Sequence, residues 1–138
     1  MSGRRGFTLV EALIAVVILA VAVPPMLVAL RDASGRRTDA VRSAQAQWLA
    51  AERLEDVMAD RHSTTRGYTW VVGGNYAAEA SVAGFPGFTR SVAVSETGAD
   101  LSSTGTGFKR VTVTVGWTDT MGRAQSVAVS TVVTDYTP

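Results

Sequence analysis

The chain has 138 residues, a formal net charge of +1, no cysteine and a single histidine, His62. Without cysteine there can be no disulfide, thiolate metal site or cysteine nucleophile, and one histidine is too few for a histidine-based dyad or zinc site. We therefore expect one domain that is not an enzyme and holds neither a metal nor a cofactor. The near-neutral charge gives no electrostatic reason to expect a nucleic-acid partner.

The first element is an apolar run of about 24 residues, Phe7–Leu30, interrupted by Glu11 and by a pair of prolines. As a helix it would span about 36 Å, enough to cross the hydrocarbon layer of a bilayer. Arg4 and Arg5 precede it and predict a cytoplasmic N-terminus. The run is longer than the apolar part of a secretory signal peptide. It therefore predicts a membrane-spanning helix that is retained by the protein.

An acidic side chain inside an apolar run is costly, so Glu11 predicts a function. The stretch GFTLVEALIAVVILA, Gly6–Ala20, resembles the class III signal of type IV prepilins and type II secretion pseudopilins. The resemblance implies cleavage between Gly6 and Phe7 by a prepilin peptidase, followed by N-methylation of Phe7. It also implies that Glu11 pairs with the new amino group on a neighbouring subunit. Two charges that are costly when buried alone are tolerated together and fix the register between subunits.

Pro24 and Pro25 interrupt the apolar run, and each lacks a backbone N–H. The carbonyls of Ala20 and Val21 therefore lose their helical partners. We predict a helix break at this pair, either a kink or a segment that unwinds when subunits pack. Many members of the pilin family have a single proline a few residues later, so the position of this pair departs from the family pattern.

After the exit segment Arg31–Arg37, apolar residues recur at three- and four-residue steps as far as about Arg61, which indicates an amphipathic helix. The predicted apolar face is formed by Val41, Ala44, Trp48, Ala51, Leu54, Val57 and Met58. We expect one long helix from Phe7 to about His62, bent at Pro24-Pro25 and near Gly35. The run AQAQWLAAERLEDVMADR also resembles PilV-like minor pilins and I-type minor pseudopilins. Its charged residues, Glu52 among them, are expected to be solvated.

The remainder of the chain predicts short strands bounded by glycine, proline and polar turns. The predicted strands are Tyr68–Gly73, Tyr76–Val82, Phe88–Ser95, Lys109–Trp117 and Ala124–Asp135, the last two forming a hairpin. A helix followed by an antiparallel meander predicts an α+β fold in which the sheet packs one face on the helix. The expected divisions are residues 1–6 (leader), 7–30 (membrane helix), 31–62 (amphipathic helix) and 63–138 (sheet domain).

The other candidate site residues have simpler explanations. His62 is expected to lie at a helix end, where a cation is favourable. Trp48 and Trp117 are expected to pack between the helix and the sheet. Glu96, Asp100 and Asp119 lie in or beside loops without the spacing of a calcium site.

These features predict a minor pilin or minor pseudopilin, a structural subunit held in the inner membrane before it enters a filament. The resemblance implies three kinds of partner: the peptidase, other pilins or pseudopilins, and the inner-membrane assembly platform with its ATPase. Two alternatives stay open. One is a DNA-uptake pilin, for which the scattered basic residues give no strip. The other is a signal-anchored periplasmic binding domain, which would keep residues 1–6.

Overall fold

The computed structural model of the chain describes residues 7–135. The chain divides into two compact units, with the boundary between Thr38 and Asp39. The elements, in order, are helix α1 (Leu9–His62), a short helix α2 (Gly67–Trp70), a 3-10 turn (Gly73–Asn75) and strands β1 (Phe88–Thr97), β2 (Phe108–Thr118) and β3 (Ala124–Thr134). The predicted α+β fold, a long N-terminal helix packed on a small antiparallel sheet, is confirmed.

The sheet is a three-stranded meander in the order β1-β2-β3, with both pairings antiparallel. Val113 of β2 faces Val92 of β1 and Val129 of β3, so valines form a row across the side of the sheet that packs on α1. Alternate positions point to the opposite side and are small and polar. They include Ser91, Thr114 and Ser130. This alternation is why only one face of the sheet is buried.

The second part of α1 packs on the sheet through two adjoining apolar clusters. The first joins Ala46, Leu49 and Ala50 of α1 to Val82, Phe88, Val113 and Val115, and the second joins Val57 to Val71, Tyr76, Val111 and Val133. Leu49 and Val57 are completely buried. Removing a buried side chain of this size typically costs about 2–5 kcal/mol, so these contacts hold the helix to the sheet.

The predicted apolar face of this helix was wrong in part. Val57 is buried, and Leu54 and Met58 are partly buried, but Val41, Ala44, Trp48 and Ala51 are exposed. At 100° per residue these four exposed positions lie on the side of the helix opposite Ala46, Leu49 and Ala50. We call them the outer stripe. Trp48, expected in the core, is 55% exposed, and its ring centroid lies 5.6 Å from that of Phe85, which is itself only partly buried beside the first cluster.

The two strands predicted between residues 68 and 82 were also wrong. Tyr68–Trp70 lies in the short helix α2, and the glycine pair Gly73-Gly74 begins the 3-10 turn. Glu79 and Arg90 form an isolated bridge with two backbone hydrogen bonds of 2.8 and 2.9 Å. The segment therefore covers part of the β1 edge without forming a strand of the sheet. The three later strands are confirmed within a few residues at their ends.

The turn between β2 and β3 is held by Asp119, whose carboxylate is buried. It accepts hydrogen bonds from the backbone N–H groups of Met121 (2.9 Å) and Arg123 (2.8 Å) and from the side chains of Arg123 (2.8 Å) and Gln125 (3.2 Å). These hydrogen bonds, first of all that from the backbone of Arg123, lower the pKa of Asp119 from 3.8 to about 2. The charged carboxylate therefore stabilises the folded chain.

This lowered pKa predicts a loss of stability in acid. Because the folded state binds the proton less tightly than the unfolded state, the contribution of Asp119 is present above about pH 4 and is lost as the pH falls towards 2. Asp119→Asn should lower the thermal midpoint of the full chain at pH 7 and weaken its fall between pH 4 and pH 2, measured by circular dichroism in detergent. Hydrogen bonds from Ser103 and Ser102 also lower the pKa of the exposed Asp100 to about 2, so some acid dependence should remain in this variant.

The exposed Asp56 gives a control, since Asp56→Asn removes the same charge without touching the turn. If Asp119→Asn keeps the acid dependence of the unsubstituted chain, Asp119 does not stabilise the turn in its charged form.

Candidate functional site: helix α1 and its N-terminus

Helix α1 begins at a threonine cap. The carbonyl of Thr8 accepts a hydrogen bond from the N–H of Ala12 (3.1 Å), and its hydroxyl oxygen accepts one from the N–H of Glu11 (3.2 Å). The hydroxyl thus satisfies an amide that has no partner within the helix. Thr8 had no role in the sequence-based predictions. A threonine three residues before a glutamate is the pattern that could have identified it.

Glu11 lies in the first turn of α1, three residues after the cap, and is exposed. A negative charge at this position interacts favourably with the helix dipole and stabilises the start of the helix. Among residues 7–135, no basic side chain forms an ion pair with Glu11. Its carboxylate is therefore available to a group from another molecule.

Phe7, the predicted first residue after cleavage, precedes the cap and is 74% exposed. Gly6, on the other side of the predicted cleavage site, lies outside the described residues. The roles assigned to Gly6, Phe7 and Glu11 therefore stay predictions.

The first part of α1 is long and apolar enough to cross a membrane, and none of its most apolar window is buried within the described chain. The exposed side chains include Leu13, Ile14, Ile18, Leu19, Leu27 and Leu30. A buried core helix of a soluble domain would pass the same length test but would not be exposed on all sides. The exposure therefore favours a lipid environment or contact with other chains.

Pro24 and Pro25 lie inside α1, which continues through both as one helix to His62. Each proline still removes one helical hydrogen bond, because it carries no N–H. The predicted kink or unwinding at this pair stays a prediction.

A buried arginine joins α1 to the sheet domain. Arg90 of β1 is 9% exposed, and its guanidinium donates to the carboxylates of Glu79 (3.0 and 3.1 Å) and Glu52 (2.9 Å) and to the carbonyl of Leu49 (3.1 Å). Glu52 is exposed, as expected, and also forms an ion pair with Arg90. Because the buried charge is paired on three sides, the network orients the helix on the strand.

A second buried cation, Lys109, lies at the far end of the sheet. Its ammonium donates to the carbonyl of Tyr68 (3.0 Å) and lies 4.3 Å from the centre of the Tyr68 ring. Burial, with the charges of Glu96 and Asp135, raises the pKa of Tyr68. Both cations are buried and hydrogen-bonded within the fold, which indicates a structural role.

The remaining candidates do not converge on a site. His62 lies at the end of α1, where its Nδ1 is 2.7 Å from the carbonyl of Met58. Asp100 accepts hydrogen bonds from Ser102 and Ser103 within its own loop. Across residues 7–135 there is no group of three or more histidine or acidic side chains that could hold a metal ion.

A family model described as the prokaryotic N-terminal methylation motif matches residues 1–23. The chain carries the N-terminal signal of type IV pilin-like proteins. The matched region contains the cap, Glu11 and the first part of the apolar helix, which are the features described above. No curated protein and no solved structure was found to match the chain.

The motif is confined to residues 1–23 and supports a type IV pilin-like or pseudopilin precursor. It is the motif of structural subunits, and it implies processing by a prepilin peptidase and assembly with other pilins.

The threonine cap gives a local prediction. Thr8→Ala should free the amide of Glu11 and fray the first turn of α1, at a cost of about 0.5–2 kcal/mol to that turn. Amide hydrogen exchange of the full chain in micelles should show faster exchange at Glu11 and Ala12. Thr8→Ser keeps the hydroxyl and should exchange like the unsubstituted chain. Equal exchange in all three chains would mean that Thr8 is not the cap.

Proposed function

We propose that this chain is a minor pilin or minor pseudopilin, a non-enzymatic assembly subunit of a type IV pilus or a type II secretion pseudopilus. The observation that carries the proposal is the exposed apolar surface of α1, which begins within the methylation motif and continues beyond it to Leu30. None of the most apolar window of the helix is buried among the described residues. In a pilin-like subunit, lipid would cover this surface before assembly, and neighbouring subunits would cover it in the filament.

The proposed maturation begins in the membrane. Arg4 and Arg5 hold the N-terminus on the cytoplasmic side, and the sheet domain lies outside the inner membrane. The peptidase cuts between Gly6 and Phe7 and the new N-terminus is methylated. Loss of residues 1–6 with their two arginines changes the formal net charge from +1 to −1. The apolar helix stays on the mature chain.

In the filament, Glu11 pairs with the N-terminal amine of a neighbouring subunit. Its exposure on α1 and its lack of an ion-pair partner among the described residues support this pairing. Each charge alone would be costly in an apolar surrounding, and breaking such a pair by removing one partner costs about 3–5 kcal/mol. The pair would therefore set the axial position of each subunit against the next.

Beyond the apolar run, the outer stripe of α1 forms the second contact. Val41 and Trp48 are more than half exposed, and the stripe lies opposite the face that packs on the sheet. A tryptophan fixed on a helix is a strong anchor for a partner surface. We therefore assign the outer stripe to packing against a helix of an adjacent subunit.

The register pairing predicts the effect of removing one charge. Glu11→Gln keeps the shape of the side chain, so cleavage and membrane insertion should be normal while the amount of subunit in sheared filaments falls by about tenfold or more. Asp32→Asn is the matched control, since it removes an acid beyond the apolar run. Incorporation of Glu11→Gln at the unsubstituted level would contradict the register role.

Processing has its own test. Gly6→Val should block cleavage and leave the longer precursor in the membrane fraction, visible as slower migration on a denaturing gel. A Gly6→Val chain of mature length would show that the proposed cleavage site is wrong.

The two faces of α1 predict opposite effects at adjacent residues. Leu49→Ala should destabilise the fold by about 2–5 kcal/mol, because Leu49 is completely buried. Trp48→Ala should change the thermal midpoint little and yet lower the amount of subunit in filaments. If Trp48→Ala enters filaments normally, the outer stripe is not an assembly contact.

A further inference from the structure

Three arginines follow the apolar run of α1 within a short stretch. Arg31 comes directly after Leu30, and Arg36 and Arg37 lie about one and a half turns further along the same helix. All three side chains are exposed. The one acid among them is Asp32, so this stretch has a formal net charge of +2. We call Arg31, Arg36 and Arg37 the arginine ring.

The arginine ring has no ion-pair partner in the part of the chain that the structure describes. None of the ion pairs among residues 7–135 includes Arg31, Arg36 or Arg37. Asp32 lies four residues before Arg36, a spacing at which opposite charges can meet on a helix, but the two do not form an ion pair. The three guanidinium groups are therefore available to another molecule.

The angular positions of the three arginines show what kind of molecule fits them. At 100° per residue, Arg36 lies about 140° from Arg31, Arg37 lies about 100° further, and about 120° separates Arg37 from Arg31. The arginines thus surround the helix, as do the exposed apolar side chains before them, Leu27 and Val28 included. A single protein surface would contact one face of the helix, whereas the headgroups of a bilayer surround it. The positions therefore favour lipid.

The depth of the arginine ring also matches lipid headgroups. With the apolar run in the hydrocarbon layer, the backbones of Arg36 and Arg37 lie about 9 and 11 Å beyond Leu30. Side chains on a helix lean towards its N-terminus and cover the turn before them, about 5 Å back, which here is towards the membrane. The headgroup layer is about 5–8 Å thick on each side of the hydrocarbon. The guanidinium groups can therefore lie within it.

We propose that the arginine ring binds the phosphate groups of anionic phospholipids, of which phosphatidylglycerol is the simplest. A guanidinium matches a phosphate through two parallel hydrogen bonds as well as through its charge. Basic residues beside a membrane helix are attracted to anionic headgroups within about a Debye length. The proposal rests on the membrane insertion of α1 in the proposed function. It does not depend on which end of the helix is cytoplasmic, because headgroups lie on both sides of a bilayer.

The test measures which lipids contact the helix. The full chain is reconstituted into phosphatidylcholine bilayers with a trace of spin-labelled phosphatidylglycerol or spin-labelled phosphatidylcholine, and electron paramagnetic resonance gives the fraction of each label that the protein immobilises. Arg4 and Arg5 would also attract anionic lipid, so every chain tested carries Arg4→Gln and Arg5→Gln. Phosphatidylglycerol should associate at least about threefold more strongly than phosphatidylcholine. Salt at about 1 M should reduce this preference, because it screens the attraction between charges.

Substitutions locate the preference on the arginine ring. Arg31→Gln, Arg36→Gln and Arg37→Gln together should make the two lipids associate about equally, while lysine at all three positions keeps the charge and should keep most of the preference. Glutamine and lysine are both good helix formers, so α1 should be kept, which circular dichroism checks. Arg110→Gln removes an exposed arginine of β2 and is the control. It should leave the preference unchanged.

Two results would overturn the proposal. One is equal association of both lipids when the arginine ring is intact, and the other is a preference that the three glutamines leave unchanged. A glutamine variant that keeps the lipid preference but no longer enters sheared filaments would show that the ring contacts neighbouring subunits instead.

Failure of this inference differs from failure of the proposed function. If the ring does not select anionic lipid, the apolar run still immobilises lipid of both kinds. A chain that immobilises no lipid at all would not be inserted in the bilayer, which would contradict the proposed function together with this inference.

Discussion

Helix α1 has more apolar surface than residues 7–135 cover, and the account of the molecule depends on this excess. Between Asp39 and His62 one face packs on the sheet, with Leu49 and Val57 completely buried. The outer stripe on the opposite face and the apolar run before it are exposed. Apolar area is worth about 25 cal/mol per Å² when it is removed from water, so a surface of this size requires lipid or protein around it. An isolated, soluble chain would be an unfavourable state of this molecule.

The sheet domain fixes the orientation of the second part of α1 through specific polar contacts. Arg90 ties the helix to β1 and the Glu79 segment through paired charges, and Asp39 receives hydrogen bonds from Thr120 of the β2–β3 turn. Asp119 holds that turn from within. These polar contacts orient one face of α1 on the sheet and thereby determine which face remains for neighbours.

Much of the fold could be predicted from the sequence wherever the spacing of apolar residues is compatible with only one buried face. The alternation in β2 and β3 left one choice of buried face, and both strands lie where they were expected. Helix α1 was placed correctly, but its buried face was not, because two apolar sets at helical spacing coexist on it. Periodicity finds such sets without saying which one meets the sheet, and the large Trp48 favoured the wrong set.

The errors between Tyr68 and Val82 have a different cause. The run YTWVV has strand-forming residues, but strand formation depends on an available partner edge. Here the glycine pair turns the chain, and only Glu79 reaches β1. The methylation motif could be predicted from the sequence, and the role of Glu11 within it stays a prediction. The cap by Thr8 had a recognisable pattern, whereas the outer stripe required the burial that only the structure provides.

The central claim is that other subunits cover the exposed apolar surface of α1, and Trp48 reports on it directly. In a chain with Trp70→Phe and Trp117→Phe, Trp48 is the only tryptophan, and its quenching by iodide can be compared between detergent-solubilised subunit and sheared filaments. The account predicts ready quenching in the free subunit, and protection with a shift of emission to shorter wavelength in filaments. Equal quenching in both states, or absence of the chain from filaments, would contradict it.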